Sequence, residues 1–355
     1  MPLITAVAKT FDEPCEERAR ELAILGAVWT LGSDKRGKQK WQRVRPNDEV
    51  LPMNTPLRVY LHPKRFPACF VGDWESRLLK ADSAYVIIDK PAMLPCQADN
   101  SNNMECVPSC AARALGKTLG GSKKQQSTLY LCHRLDTCTE GCLVLAKNPK
   151  ARAQFSSWLV KKKVQKEYLC LSGSRVKQGR FTHWMADGDL RVYNEFFGPG
   201  PRLLRSTRPA VGGHSEVALA GIEWKECVLE VVSSTPLESK EKWNNRSGYP
   251  QNESLALPKV VFETRIKLIT GRTHQIRAQM ALLGSPLLYD SLYASMKSVS
   301  LDDAVKSEGI LDEFLRSRRA HRHKAPGWAI ALQAAKVSFA GREVACREPW
   351  WRRDM

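Results

Sequence analysis

Apolar positions recur along the chain with two periods, one helical and one alternating, and together they mark out a succession of elements. EERARELAILGAV (16–28) spaces its apolar residues for a helix, and LRVYLHP (57–63) reads as a strand. AYVIIDKPAML (84–94) is a β-branched run closed by Lys90-Pro91, a buried strand running into a loop. A short helix is expected around 104–115, followed by a Gly/Lys/Gln/Ser loop. LVLAK (143–147) is a strand, and KARAQFSSWLVKKKV (150–164) an amphipathic helix with Ala151, Phe155, Trp158 and Leu159 on one face and solvated Lys161 to Lys163 on the other.

KEYLCLSG, ECVLEVVSS and VVFETRIKLIT supply three further strands. The polar, turn-rich segment 234–257 between the last two reads as an inserted surface loop. In LITGRTHQIRAQMALLGSPLLYD (268–290) a strand stops at Thr270-Gly271, Thr273 caps, and a helix runs from His274 to Gly284. Ile276, Met280 and Leu283 share its buried stripe, and Arg277, about 100° round from Ile276, lies at the edge of that stripe, aimed into a cleft. Strands in hairpin-like succession, interleaved with helices, give the α+β class: a mixed, largely antiparallel sheet with flanking helices, plus a small N-terminal region. No internal repeat is present, which removes solenoids and propellers.

Charge narrows the partners. Lys and Arg outnumber Asp and Glu by 55 to 37, a formal charge of +18, which favours a polyanion and nucleic acid foremost. Residues 1–77 contain the basic stretch DKRGKQKWQRVRP and form either a small RNA-contacting module or an N-terminal extension. No run of about 18 apolar residues predicts a membrane span, and the start turns acidic too early for a standard presequence. The eleven cysteines include no CxxC pair and match no standard zinc spacing, so they read as reduced intracellular thiols.

The chemistry concentrates in LCHRLDTCTEGCLVLAK (131–147). Asp136 sits on a loop entering the sheet, where a carboxylate needs a cation, and Arg277 and Arg272 in the later motif are available. A purely structural ion pair is the alternative at this point. HRLDTCTEGCLVLAK resembles the catalytic motif of the RluA-type pseudouridine synthases, usually HRLD followed by Thr-Ser-Gly and an aliphatic strand ending in Lys. VIIDKPAML, VQKEYLCL (164–171) and LITGRTHQIRAQMALLGSPLLYDSLY resemble the family's other motifs in the same order, and the resemblance covers roughly 78–345. Thr-Glu-Gly between cysteines departs from the usual form and is similar to the divergent plant and algal organellar branch.

The resemblance implies a pseudouridine synthase catalytic fold over 78–347 with a C-terminal tail at 348–355, and isomerisation of uridine in structured RNA, ribosomal or transfer. It implies Asp136 as the catalytic aspartate, Tyr168 as the aromatic against the target base and Arg277 as the basic partner of Asp136. Arg134 would fill the gap left by the extruded uridine, His133 brace the loop, Lys90 and Arg272 contact phosphate, and Ile276 border the substrate. The base is rearranged within one nucleotide, so no cofactor, metal or cosubstrate is expected. The expected partner is RNA alone, with no membrane, and the chain is expected to be a monomer, intracellular, with a chloroplast or mitochondrion as one compartment.

The basic RSRRAHRHK (316–324) fits phosphate contact, and EPWWRRDM reads as an exposed tail. Two competitors remain: a hydrolase pairing Asp136 with Glu140, disfavoured because Thr137, Thr139 and Gly141 argue against the helix that would align them, and a catalytically silent RNA-binding protein. The second would be expected to lose Asp136, Tyr168 or Arg277.

Overall fold

The structure is a computed structural model and describes residues 2–33, 37–44, 50–52, 54–116, 128–187, 202, 204–207, 223–240, 243, 257–300 and 328–353. The Gly/Lys/Gln/Ser loop, RSRRAHRHK and most of 234–257 lie outside them. The chain divides into two compact units: Met1–Val86 with Leu94–Arg134 and Val144–Arg152, and Ile87–Met93 with Leu135–Leu143 and Ala153–Met355. The boundary expected at residue 77 is therefore not where the division falls.

The reason is visible within the first unit. Buried Glu105 accepts from Arg65 Nε at 2.8 Å, the Phe66 amide at 2.6 Å and Asn102 Nδ2 at 3.0 Å, and the Asn103 amide donates to Leu25 O at 2.8 Å. Those bonds tie the 99–105 segment to the N-terminal residues. Helices α1 (Leu3–Ala8) and α2 (Glu16–Leu25) pack against the sheet of β1 (Val28–Ser33), β2 (Gln39–Arg43) and β3 (Leu57–Val59), ordered β2-β1-β3, with Leu3, Val7, Leu22 and Val28 in the core. Glu16 and Glu17 complement the α2 N-terminus, and Gly26 at φ +75° closes the helix. Ala27 and Val28 thus leave the helix, where the sequence pattern had included them. This unit also holds β4 (Leu78–Ala81), the start of β5 (Tyr85–Lys90), α3 (Val107–Ala114), β6 (Tyr130–Leu131), the end of β7 (Glu140–Ala146) and the start of α4 (Pro149–Val160).

The second unit adds β8 (Gln165–Ser172), β9 (Gly179–Asp187), β10 (Leu204–Arg205), β11 (Glu223–Glu238), β12 (Val260–Leu268), α5 (Gln275–Leu282), α6 (Ser291–Ala294), β13 (Leu332–Phe339), β14 (Arg342–Ala345) and α7 (Trp350–Arg353). Its sheet runs β10-β9-β11-β12-β8-β13-β7-β5, with β14 paired to β13. Among the described pairings of this sheet only β7 with β13 is parallel, so the expected mixed, largely antiparallel sheet is what the chain forms. Gly141 is required at that parallel contact: its φ is +117°, and a Cβ there would lie 2.4 Å from Ala334 O.

Two surface readings are corrected. β11 continues to Glu238, in register with β12 as far as Val260, so the segment expected as a loop from 234 begins as strand. Trp243, within the same segment, is fully buried and its carbonyl accepts from Tyr289 Oη at 3.2 Å. The C-terminal WWRR is not an exposed tail. Trp350 and Trp351 are buried in α7 beside Trp243 and Tyr289, while Arg352 pairs with Glu263 and Arg353 with Glu140. Indole area placed in an apolar cluster outweighs the charge that made this segment look like tail. Among the described residues no helix is long and apolar enough to cross a membrane.

Candidate active site

The strand β12 ends at Leu268, and the chain turns through Gly271 and Arg272 before helix α5 begins. His274, not Thr273, occupies the cap position, in the left-handed conformation at φ 57°, and makes no side-chain cap bond. The helix is buried on every side from Gln275 to Ala281, so Arg277 is enclosed at 2% exposure rather than lying at the edge of a cleft.

A buried guanidinium needs partners, and Arg277 has three. Its Nε and Nη2 donate to both oxygens of fully buried Asp290, at 2.7 and 2.8 Å, a bidentate clamp that fixes the plane of the group. Its remaining nitrogen, Nη1, donates to Asp136 Oδ2 at 3.2 Å. The guanidinium carbon also stands 5.1 Å from the Tyr293 ring centroid, in cation–π contact. Burial disfavours the Arg277 charge, but Asp290 more than restores it, so the side chain stays a cation.

Asp136 is the open member of this array. Its side chain keeps 24% exposure, and among the described residues no donor reaches its Oδ1. Burial raises its pKa, while His274, Arg277 and Lys90 act the other way and hold the carboxyl below the ordinary 3.8. Burial in turn pushes His274 down to about 4, so its imidazole is neutral near pH 7 and Arg277 carries the effect there. His274 Nε2 lies 3.9 Å from Asp136 Oδ2, and its Nδ1 is 3.2 Å from Tyr293 Oη, which accepts from the Arg202 amide at 2.8 Å. The chemistry available is that of an ionised, aimed carboxylate with one free oxygen.

Lys90 departs from its expected place. It is 0% exposed, and its Nζ donates to the carbonyls of Pro91, Thr137 and Thr139 at 3.0, 3.1 and 2.7 Å, so it ties down the loop after Asp136 instead of meeting phosphate. Tyr168 on β8 is 5% exposed and Ile276 on α5 likewise 5%. Arg272 is exposed. In the first unit, His133 Nε2 accepts from the Val144 amide at 3.1 Å, and exposed Arg134 donates from Nη1 to Gln97 Oε1 at 2.8 Å. Glu140, the second carboxylate of the hydrolase alternative, is buried at 8% and is engaged by Gln333, Trp350 and Arg353, which removes it from catalytic pairing. Among the described residues no group of three or more His, Cys, Asp or Glu is placed to hold a metal ion.

Sequence reasoning missed Asp290, His274 and Tyr293. Asp290 and Tyr293 stand in LLYDSLY at a spacing of three, and their only signal was presence in the same motif as Arg277. It also missed a buried amide pair on α5. Gln275 accepts from Thr270 Oγ1 and the Arg272 amide, while Gln279 meets His183 Nδ1 at 2.9 Å and Cys227 O at 3.1 Å. Those bonds hold α5 to β9, β11 and the turn that precedes it.

The mixed, largely antiparallel sheet thus carries a carboxylate that a clamped arginine steers. A solved structure, Human RNA Pseudouridylate Synthase Domain Containing 4, shares the fold at a TM-score of 0.50 and 20% identity, covering 78% of this chain and 90% of that one. The chain belongs to the RNA pseudouridylate synthase family, whose family model matches residues 84–282. It is similar to "RNA pseudouridine synthase 6, chloroplastic" of Oryza sativa subsp. japonica, at 31% identity over 91% of this chain, and to the protein of that name in Arabidopsis thaliana, at 29% over 90%. The chain spans 65% of the length of each of these two relatives.

Proposed function

We propose that this chain is an RNA pseudouridine synthase that isomerises uridine in structured ribosomal or transfer RNA, with Asp136 as the catalytic carboxylate. The observation that carries the reading is the Asp136–Arg277–Asp290 array, in which a doubly clamped arginine orients one carboxylate oxygen and leaves the other open. The reaction breaks the N1–C1′ bond, turns the base and joins C5 to C1′, so the site needs a group able to act at the sugar. An ionised carboxylate does so by attacking C1′ or by taking the C2′ proton to give a glycal. Arg277 favours either route by keeping Asp136 charged and aimed.

Tyr168 supplies a flat face for the extruded uracil, and Arg134 fills the vacated stack. His133 braces the strand behind the motif through Val144. Arg272 meets phosphate. The names of the plant relatives extend the reading to an organelle as the place of action, and the net charge of +18 suits the polyanionic substrate.

The test is pseudouridine mapping by carbodiimide-dependent reverse-transcription stops on RNA incubated with the purified chain or with Asp136→Asn. Sites made by the wild type, and reduced about 10³-fold or more in rate by the substitution, are the expected result. Salt-sensitive RNA binding by both proteins with no site made by either would put the silent RNA-binding protein in its place.

A further inference from the structure

Lys166 lies on β8 two residues before Tyr168, so strand alternation puts both side chains on one face of the sheet. Its stem is half-buried, and its amine ends at the turn between β12 and α5: a Cβ added at Gly271 would lie 2.9 Å from Lys166 Nζ. Among the described residues nothing pairs with that amine, since neighbouring Glu167 is engaged by Arg265 at 3.3 Å. Burial, with no opposite charge to offset it, pushes the Lys166 pKa down to about 8. The half-buried Lys166 amine without a protein partner differs from that of Lys90, which is sealed and satisfied by three carbonyls. Gly271, Arg272 and Thr273 are all exposed, so the turn beside the amine is open to solvent and has no side chain at its nearest residue.

We propose that Lys166 is a phosphate-binding residue whose ammonium takes a backbone phosphate oxygen of the substrate RNA across the side-chain-free Gly271. The proposal rests on the RNA-modifying function argued above and adds a contact to it. A phosphate suits the position better than a base edge because an unpartnered point charge gains most from an anion, and lysine lacks the planar fork that reads a base edge bidentately. The glycine matters because any side chain there would close the approach to the amine. Exposed Arg272, the next residue, extends the same positive surface.

Lys166→Met in the full chain separates binding from structure, because the two roles move stability in opposite directions. Loss of an unpaired ammonium leaves the melting temperature unchanged or higher, while filter binding to bulk transfer RNA across a salt series weakens about tenfold and its salt slope falls by about one. Lys166→Arg retains most of the slope. Gly271→Ala weakens binding in the wild-type background and has no further effect in Lys166→Met, since both act at one contact. Unchanged affinity and slope in Lys166→Met would overturn the proposal, and so would a lower melting temperature, which would make the amine a structural strut. Because binding is read without turnover, a wild type that makes no pseudouridine refutes the enzymatic reading and leaves the Lys166 contact to be judged by its own slope.

Discussion

Two carboxylates compete for one guanidinium, and their environments decide their roles. Asp290 takes two of the Arg277 nitrogens and is sealed from water, whereas Asp136 takes one and keeps an open oxygen. The first positions the arginine and the second faces the solvent side of the site. His274 adds a pH dependence to this cluster. Its folded pKa of about 4 lies below the ordinary 6.5, so its contribution to stability is complete above about pH 6.5 and is lost as the pH falls toward 4. Burial lowers His183 as well, in the same direction. Chemical denaturation is expected to show roughly 3 kcal/mol of stability lost across that window on account of His274. His274→Gln should flatten much of the decline, and an unchanged pH slope in that variant would assign the effect elsewhere.

At the scale of elements, β7 carries the motif from loop into sheet, and its start depends on a residue with no side chain. Gly141 combines a positive φ with a backbone contact to Ala334 that leaves no room for a Cβ, and Ala334 cannot retreat as a flexible side chain would. Gly141→Ala is expected to cost about 2–4 kcal/mol in urea unfolding and to lower activity by disturbing the strand that follows Asp136. The β-branched runs and the Lys-Pro stop were readable because they reflect local backbone preference. The cap of α5 was not: Thr273 is the better cap by composition, yet the turn from β12 puts His274 there in a left-handed conformation. Nor was the burial of α5 all round, because its amides Gln275 and Gln279 read as a polar face until their partners on β9 and β11 are known.

For the molecule as a whole, the C-terminal residues belong to the core of the second unit. Trp350 and Trp351 meet edge to face at 5.3 Å, and Trp351 Nε1 donates to Glu263 at 2.7 Å. Trp351→Ala should cost about 3–5 kcal/mol, read as an earlier denaturant midpoint for the second unit. A change below 1 kcal/mol would mean that the cluster is dispensable. The octapeptide EPWWRRDM, half of whose residues are charged, looks like an exposed tail when only composition is visible. Glu140 and Glu263, far away in sequence, neutralise its arginines and turn it inward.

Local pattern and motif order in the sequence determined the α+β class, the strand-rich domain and the family resemblance, and the pairing of Asp136 with Arg277 was only what that resemblance implied. Each of these depends on backbone preference or on residues clustered in short windows. Only the tertiary structure decided which charges face water. Lys90 and Arg277 look alike in sequence to Arg272, yet the first two are enclosed and fully partnered while the third is exposed. A charge pays for burial only when partners from distant segments converge on it, and that convergence is a property of the folded chain.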